Sequence, residues 1–422
     1  MSTDALVPEV GSSEPITARP STASAGMPKN PTLSVVIAER WEELEPYLAA
    51  WDRLAAAAIE PNVFYEQWML KPALESFGPG KDLFFVLIVA DLPPGSPHAP
   101  LLCGFFPLLR RRRYKGLPVS TLELWCHVHC YLCTPLLHAD YASACLTAFF
   151  AWLGTDRRGA ALLQCKWIPG EGAFHRLLVE HLAEHRKLSL LDETYARALL
   201  VPRASAAAYL EEVLSGKRRK RLRRKEERLK EQGAIEYVAL AADGDVRAWL
   251  DEFLRLEAAG WKGHEGTALQ CRDEDRRFFV ASLTDAFQRR RLVMMALHLN
   301  GQPIALSCDL LAEPWSFGFK LTFDENQARF SPGVLLELEK LRRLHERKEI
   351  RWVDSCNAPG PSLFKDLWAE RRLIDTMAIA SGKAPGDFVL SLLPLLRWAR
   401  RKTSAVLRRF RPTPRHPAEP RP

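Results

Sequence analysis

The chain has 422 residues, of which 47% are apolar and 26% charged, and its formal net charge is +8. This length allows two or three domains with sizeable cores, and the composition is that of a folded globular protein, which excludes collagen-like and fully disordered classes. The charge is concentrated in 217–230, with ten Lys or Arg and two Glu, and in 397–411, with seven Lys or Arg and no acid. Because the remainder is mildly acidic, no uniformly basic nucleic-acid surface is predicted.

The two ends of the chain predict tails. Residues 1–32 are rich in Ser, Thr, Pro and Ala without an apolar run, so we expect disorder and no secretory leader. At the other end, the apolar run 388–396 is too short to span a bilayer. Nine scattered cysteines, an odd number, predict reduced thiols and a cytoplasmic protein.

Hydrophobic periodicity predicts alternating strands and helices in residues 33–203. The predicted elements are a strand 33–37, helices 39–58 and 62–77, strands 83–90 and 101–109, a helix near 140–153, a strand 160–164, a helix 173–186 and a strand 195–201.

Residues 204–382 repeat that order. The predicted elements are a helix 204–232, a strand 235–240, helices 245–260 and 272–290, strands 292–300, 302–311 and 315–323, a helix from Ser331, a strand 350–354, a short helix 362–370 and a strand 373–380. Asn300-Gly301 between two apolar runs is a strong signal for a tight hairpin. The repeated order predicts a tandem duplication followed by an apolar and basic tail, 383–422.

The stretch 315–339 is the most informative one for function. Trp315 to Phe323 predicts a buried strand, and a helix begins with Ser331 as N-cap and Pro332 in the first turn. Gly333 permits a close approach to that turn. Its N–H groups and positive dipole end suit a phosphate, although an ordinary capped strand–helix connection has the same pattern.

Three segments, in this order, carry a resemblance to a known family. They are Leu256-Glu257 with 260–263 and 266–268, Phe319-Lys320 with Asp324-Glu325 and 331–333, and Asp354 with Leu367-Trp368 and Arg371-Arg372. Together they resemble the Fem-like branch of the GNAT acyltransferases, including the CelD-type, cellulose-biosynthesis-associated acetyltransferases. The resemblance covers 205–380 well and 35–200 weakly. Phe323 and Phe330 stand where that family is expected to have tyrosines, so no phenol acts there.

The resemblance implies an α/β fold of tandem GNAT-like domains, 33–203 and 204–382, each a mixed twisted sheet flanked by helices, with a cleft between them. It also implies transfer of acetyl from acetyl-CoA to an amine or a sugar hydroxyl, in polysaccharide or cell-envelope metabolism. Two alternatives stay open. One is aminoacyl transfer from aminoacyl-tRNA, and the other is a non-enzymatic scaffold on membrane or nucleic acid.

Within this frame we predict three catalytic carboxylates. Glu257 at a helix end could accept a proton, Asp354 lies at a strand end, and Asp309 lies in an apolar strand where a charge needs a partner or a function. The residues predicted to bind the cofactor are Lys320, Ser331, Pro332, Gly333 and Val334. Those predicted to contact the substrate are Trp261, Lys262, Thr267 and Asp324.

Cysteines and histidines are concentrated in the run 126–133. Cys126, Cys130 and Cys133 have the C-x3-C-x2-C spacing of a radical SAM iron–sulfur site, and the histidines add zinc as an option. However, 134–200 do not supply the barrel of repeated strand–helix units that such an enzyme needs, and free cysteines commonly fill cores. The sequence therefore predicts no bound metal.

The basic segments have several interpretations. The run 217–230 could bind RNA phosphates, an anionic membrane or cofactor phosphates, or be a solvated helix face; we favour the last with a contribution to phosphate binding. The apolar run 388–396 with the basic 397–411 predicts weak docking to an anionic inner membrane, or packing on the second domain. The sequence lacks a dinucleotide fingerprint, a P-loop, a G-x-S-x-G elbow and H-E-x-x-H, which disfavours those enzyme classes.

Overall fold

The fold is described from a computed structural model that covers residues 31–92, 96, 100–155, 160–358, 360 and 363–395. The predicted N-terminal tail up to residue 30 and the basic run 397–411 lie outside these residues.

The first half contains seven strands and five helices among the described residues. The strands are β1 (Leu33–Ala38), β2 (Leu83–Ala90), β3 (Leu101–Arg111), β4 (Thr121–Leu124), β5 (Leu136–Leu137), β6 (Leu162–Pro169) and β7 (Ser189–Leu200). The helices are α1 (Trp41–Leu44), α2 (Leu48–Ala57), α3 (Gln67–Phe77), α4 (Ala142–Thr155) and α5 (Ala173–Glu184).

The second half adds six strands and further helices to the described structure. Its strands are β8 (Ile235–Ala239), β9 (Leu292–Leu299), β10 (Gln302–Ala312), β11 (Trp315–Phe323), β12 (Trp352–Asp354) and β13 (Glu370–Ala380). Its helices are α6 (Ala206–Val213), α7 (Gly216–Lys230), α8 (Val246–Ala259), α9 (Trp261–His264), α10 (Asp273–Gln288) and α11 (Pro332–Glu346). Residues 386–395 are also helical.

All these strands form one continuous mixed sheet. The order is β1-β2-β3-β4-β6-β13-β7-β12-β11-β10-β9-β8, and β5 pairs with β3. The last strand of each half is inserted into the other half, because β13 lies between β6 and β7 while β7 lies between β13 and β12. Each half therefore completes its sheet with a strand of its partner, and the boundary at 203/204 stays a prediction.

Each half contains one parallel pair in an otherwise antiparallel neighbourhood. In the first half β4 pairs in parallel with β6, and in the second half β11 pairs in parallel with β12. Each pair is joined through one long helix, α4 or α11. The repeat that the sequence predicts is thus present in the architecture, as is the predicted mixed sheet flanked by helices.

A buried ionic joint holds the exchanged strands together. Asp354, at the end of β12, accepts hydrogen bonds from Arg197 of β7 at 2.6 Å and from Arg372 of β13 at 2.7 Å. All three side chains are buried. Because an unpaired charge in such a place is costly, the joint fixes how the three strands meet.

Some helices are shorter than the sequence predicts. The predicted helix 39–58 is interrupted by a 3-10 turn over Glu45–Tyr47, where Pro46 cannot donate a helical hydrogen bond. The predicted helix 204–232 divides at Ser215, whose hydroxyl accepts from the N–H of Arg218 and so starts α7 anew. The short strands β4 and β5 have no distinct sequence pattern and were not predicted.

The helical segment 386–395 packs against the sheet. Val389, Leu390 and Leu393 are buried in a cluster with residues of the first half and of β13, including Leu162 and Ala380. The segment thus packs on β13, within the predicted second domain 204–382, and on residues of the first half as well. Phe388 and Leu395 remain 65% and 63% exposed.

Candidate active site

The second half has an opening in its sheet beside β11. Parallel pairing with β12 ends at Phe317 opposite Asp354, and Ser355 then turns away to donate its N–H to Ala198 of β7. From Gly318 to Phe323, β11 has no strand partner on that side among the described residues. Its amide groups there are available to a ligand in extended conformation.

A bulge accompanies the opening. The register between β10 and β11 shifts at Cys308/Asp309, so that β11 holds one extra residue next to Gly318. A bulge re-aims the backbone and side chains around it. Here it allows two consecutive side chains, Phe319 and Lys320, to lie against the same aromatic ring, that of Tyr131.

The helix after the opening begins as predicted, but Ser331 does not cap it through its side chain. Ser331 is left-handed, with φ 58°, and its hydroxyl accepts a hydrogen bond from Lys225 at 2.6 Å instead of from an α11 amide. Lys225 belongs to the basic helix α7, which therefore lies beside the start of α11. A helix N-terminus next to an ammonium group is suited to an anion.

The other predicted cofactor residues at this turn lie deeper. Pro332 and Gly333 are buried, whereas Val334 is partly exposed. A Cβ on Gly333 would lie 3.2 Å from Leu321 of β11, so the glycine serves the close packing of helix on strand. The structure thus gives Gly333 a packing role, and its predicted close approach to a ligand stays a prediction.

The face of α7 that touches the protein is narrow. Leu222 and Leu229 are its buried residues, and Lys225 is partly buried between them. Arg221, one turn before Lys225, is exposed and near enough that its charge, after burial, lowers the pKa of Lys225. The basic helix thus supplies two cations near the turn at 331.

Lys320 of β11 faces the first half of the chain. Its ammonium donates to the hydroxyl of Tyr131 at 2.7 Å and lies 3.1 Å from Nδ1 of His129. An ammonium has three N–H donors, and the third has no acceptor among the described residues. Lys320 is therefore held as a point charge with one donor left for a ligand.

His129 is oriented by a carboxylate. Its Nε2 lies 3.0 Å from Asp275 of α10, so Nδ1 faces Lys320 as an acceptor. Burial lowers the pKa of His129 to about 2, and the charge of Lys320 acts in the same direction, so the ring is neutral. Burial also raises the pKa of Asp275. The contacts from Asp275 through His129 and Lys320 to Tyr131 form a row that joins the two halves of the chain.

Glu257 ends α8 in a buried position close by. Its carboxylate accepts from Lys262 at 2.6 Å and from the N–H of Leu269 at 2.9 Å. The negative charge of Glu257 contributes to the raised pKa of Asp275, after burial, which places it within electrostatic reach of the row from Asp275 to Tyr131. The structure therefore brings together the predicted residues Glu257, Lys262 and Lys320.

The predicted substrate residues lie around this group. The N–H of Trp261 donates to Glu325 at 2.7 Å, which ties the start of α9 to the turn after β11. Asp324 accepts from the N–H of Asn326 within that turn. Trp261 is 53% exposed, and Thr267, also exposed, contacts the carbonyl of Lys262. Their predicted contacts with substrate stay predictions.

Two of the predicted catalytic carboxylates have structural partners. Both oxygens of Asp354 are occupied, by two arginines and by the N–H of Cys356, and the residue is fully buried. The charges of Arg197 and Arg372 outweigh its burial and lower the pKa of Asp354, which makes it a poor proton acceptor, and we therefore leave it out of the proposed mechanism.

Asp309 lies on the opposite face of the sheet, in a cavity of ≈ 160 Å³ under α11. Lys340 bonds Asp309 at 2.8 Å and Glu337 at 3.1 Å, all three side chains being largely buried. Burial raises the pKa of Glu337 to about 7. Asp309 was predicted to need a partner or a function, and the structure supplies the partner.

Three site residues were not predicted from the sequence, namely His129, Tyr131 and Asp275. His129 and Tyr131 lie in the run 126–133, whose cysteine spacing drew attention to metals instead. The contact of His129 with Lys320 spans 191 positions, and no local pattern can indicate it. The structure also gathers the thiols of Cys126, Cys130 and Cys133 within 4.8 Å of one another, a geometry able to hold a metal.

Comparisons with known proteins agree with this architecture. A sequence model of the acetyltransferase (GNAT) domain matches residues 216–366, from α7 past β12. No protein with a curated description matches the chain.

Solved structures resemble the whole fold at low identity. FemX aligns with a TM-score of 0.53 and 9% identity, over 82% of this chain and 98% of FemX. A conserved protein of unknown function from Bacteroides thetaiotaomicron VPI-5482 aligns with a TM-score of 0.51 and 14% identity, over 82% of this chain and 100% of that protein. Residues 216–366 thus match the acetyltransferase (GNAT) domain, within a fold similar to that of FemX, and the predicted α/β fold of repeated units is confirmed.

Proposed function

We propose that this protein is an acyltransferase that moves acetyl from acetyl-CoA to an amine or a sugar hydroxyl. The observation that carries the proposal is the edge of β11 from Gly318 to Phe323, which pairs with none of the described strands on that side and lies inside the segment that matches the acetyltransferase domain. An extended pantetheine arm has amide groups that can pair with such an edge.

The donor's phosphates would lie at the start of α11. The helix dipole is positive there, and Lys225 and Arg221 add charge without an acidic residue in the first turn of the helix. The thioester would then reach the bulge beside Gly318, where a backbone N–H polarises its carbonyl. Donor binding therefore needs no metal in this proposal.

The acceptor would enter from the Glu257 side. Its nitrogen or oxygen attacks the thioester carbon, Glu257 takes the proton, and the C–S bond breaks to release the CoA thiolate, which is protonated from solvent. The free N–H of Lys320 lies on the same face of β11 and would stabilise negative charge on the oxygen during this step. His129 and Tyr131 position Lys320.

Isothermal titration with acetyl-CoA tests the donor site. Lys225→Ala should weaken binding about tenfold, because it removes one cation from the phosphate turn. Lys220→Ala, an exposed residue of the same helix, removes the same charge and is the matched control. Equal affinity of wild type and Lys225→Ala would contradict the proposed phosphate site.

One observation favours a second candidate, aminoacyl transfer from aminoacyl-tRNA. Seven cations of α7 are exposed: Lys217, Lys220, Arg221, Arg223, Arg224, Arg228 and Lys230. Such a row suits the phosphates of a nucleic acid, and binding would fall steeply with salt. Lys220→Ala with Arg224→Ala should weaken charged-tRNA binding but leave acetyl-CoA binding intact. Thermal shifts with either donor decide between the candidates.

The finer resemblance of 256–268 and 319–333 to CelD-type acetyltransferases leads us to propose a sugar acceptor of polysaccharide or cell-envelope metabolism.

Among the described residues, no helix is both long and apolar enough to cross a membrane. We propose that the protein works in the cytoplasm and touches the anionic inner membrane through 386–395 and the basic residues after it.

A further inference from the structure

The loop between β4 and β5 gathers three of the nine cysteines. The sulfur atoms of Cys126, Cys130 and Cys133 all lie within 4.8 Å of one another, and those of Cys130 and Cys133 are 3.8 Å apart. Cys130 and Cys133 are fully buried, and Cys126 is partly exposed. The loop is irregular and yet almost wholly buried, so contacts with its surroundings or a bound group must keep it in place.

The geometry suits one metal ion better than a cluster. With Zn–S bonds of about 2.3 Å and tetrahedral angles, two thiolates on one zinc stand about 3.8 Å apart. In a [4Fe–4S] cluster each thiolate binds a different iron, and the sulfurs are spread more widely. Thiolate sulfur is also the ligand that zinc selects most readily.

In contrast to the sequence-based prediction of no bound metal, we propose that Cys126, Cys130 and Cys133 bind one Zn²⁺ as thiolates, with water as the fourth ligand on the exposed side of Cys126. Among the described residues, no His, Asp or Glu atom belongs to the same group of ligands. Three thiolates and Zn²⁺ leave one negative charge. Lys81 and Lys166 lie within electrostatic reach of Cys126 and oppose this charge and that of Glu123, which Lys166 bonds at 2.9 Å.

The site would clamp the part of the loop that faces the second half. His129 and Tyr131, which hold Lys320, alternate with the proposed ligands along the chain. From the other side, Arg197 donates to the carbonyl of Tyr131 at 2.7 Å. The metal would therefore position two residues of the candidate active site. This consequence rests on the proposed function, whereas metal binding itself does not.

The test begins with the metal content of the full chain. Protein purified anaerobically, in reducing buffer without chelator, should contain one zinc per chain by elemental analysis. Cys130→Ser should lose most of it, and Cys165→Ser, which removes an isolated buried thiol, should keep it. Retention of zinc in Cys130→Ser would overturn the assignment.

A second measurement uses the wild-type protein, in case Cys130→Ser does not fold. Cobalt exchanged into the site should show thiolate charge-transfer absorption, and a mercurial reagent should release zinc as three thiols react. Metal-free protein with every thiol reduced, stoichiometric iron, or a Cys130–Cys133 disulfide would each overturn the proposal. Metal content is independent of acetyl-CoA binding, so the failure of one proposal is distinguishable from failure of the other.

Discussion

The two halves of the chain differ most beside the first strand of each parallel pair, β4 in one half and β11 in the other. Next to β11 the sheet stays open, because β12 ends at Asp354 and the edge from Gly318 onward has no strand partner among the described residues. In the first half β4 pairs with β6 over all but its last residue, Leu124, and the loop that follows β4 continues along β6, where Cys133 donates its N–H to the carbonyl of Trp167 at 3.1 Å. A duplicated architecture thus has one open copy and one closed copy.

The turns before the two helices differ in their charged neighbours. The turn before α4 contains Asp140, and the ring of His138 accepts from the N–H of Asp140. The turn before α11 contains Asp324 and Glu325, which accept from the N–H groups of Asn326 and Trp261, and Lys225 donates to the hydroxyl of Ser331 at the helix start. The ammonium of Lys225 favours the second half as the donor site, and the first half holds Lys320 through His129 and Tyr131.

The largest expected effect concerns the joint between the halves. Asp354→Asn leaves the buried Arg197 and Arg372 without their carboxylate, so we expect a loss of about 3–5 kcal/mol in the free energy of unfolding. Asp366→Asn breaks only a surface pair with Arg218 and should cost less than about 1 kcal/mol. Denaturant unfolding compares the two variants; similar midpoints would refute the proposed role of the joint.

The next largest effect concerns turnover and the ammonium of Lys320, which residues of the first half hold in place. Lys320→Met should lower kcat by about 10²–10³-fold, because it removes a positioned charge from the reacting oxygen. Lys348→Met, an exposed lysine of the second half, is the control. The measurement is the steady-state rate with acetyl-CoA once an acceptor is found. Normal turnover by Lys320→Met would exclude Lys320 from the mechanism.

The free energy of unfolding should depend on pH through Glu337, in the buried cluster under α11. Burial raises the pKa of Glu337 to about 7 from 4.5, so the folded protein binds a proton there that the unfolded chain has released. The stability from this proton is present in full below pH 4.5 and lost as pH rises through 7. Relative to Glu337→Gln, the wild type should lose up to about 3 kcal/mol between pH 4.5 and pH 8.

Unfolding by urea at several pH values checks this prediction. Glu339→Gln is the matched control, because Glu339 lies on the same helix and pairs with Arg342 and Arg343 at the surface. If wild type and Glu337→Gln keep a constant difference over this range, Glu337 does not titrate as described.

A single negative charge at the start of α11 should weaken donor binding. Ser331→Asp places an acid directly before this helix, beside Lys225, and aspartate tolerates the left-handed backbone of this position. Acetyl-CoA affinity should fall about tenfold, since the acid opposes the phosphates and pairs with Lys225. Asn326→Asp in the same turn should change affinity less. Calorimetric titration measures both, and equal losses would argue against a site at Ser331.

The smallest expected effect is at the membrane. Phe388→Glu with Leu395→Glu alters two side chains that are 65% and 63% exposed, and binding to anionic liposomes should fall several-fold. Val179→Glu with Leu188→Glu is the control, because these side chains are also exposed but lie elsewhere. Co-sedimentation with anionic liposomes, at low and high salt, measures the binding of both double variants. Equal sedimentation of the two double variants would assign 386–395 to packing alone.

Local patterns predicted much of this molecule from the sequence. The hairpin at Asn300-Gly301 formed because both residues accept positive φ, here 51° and 78°. The strand from Trp315 and the helix from Pro332 lie where their patterns place them. The rule that a buried charge needs a partner also anticipated the contact between Asp309 and Lys340.

The features that the sequence could not predict depend on contacts between distant segments. The exchange of β7 and β13 pairs strands that are far apart along the chain, and periodicity carries no information about pairing partners. Asp354 was predicted to be a catalytic carboxylate because it ends a strand, but its carboxylate accepts hydrogen bonds from Arg197 and Arg372. Ser331 looked like a side-chain cap, but Lys225 competes for its hydroxyl.

Hydrogen–deuterium exchange of the full chain, with and without acetyl-CoA, tests the difference between the halves most directly. We predict slower exchange with acetyl-CoA in 316–335 and in α7, and no change in 125–142. Protection of 125–142 without protection of 316–335 would contradict the assignment of the donor to the second half. So would bound acetyl-CoA that protects neither segment.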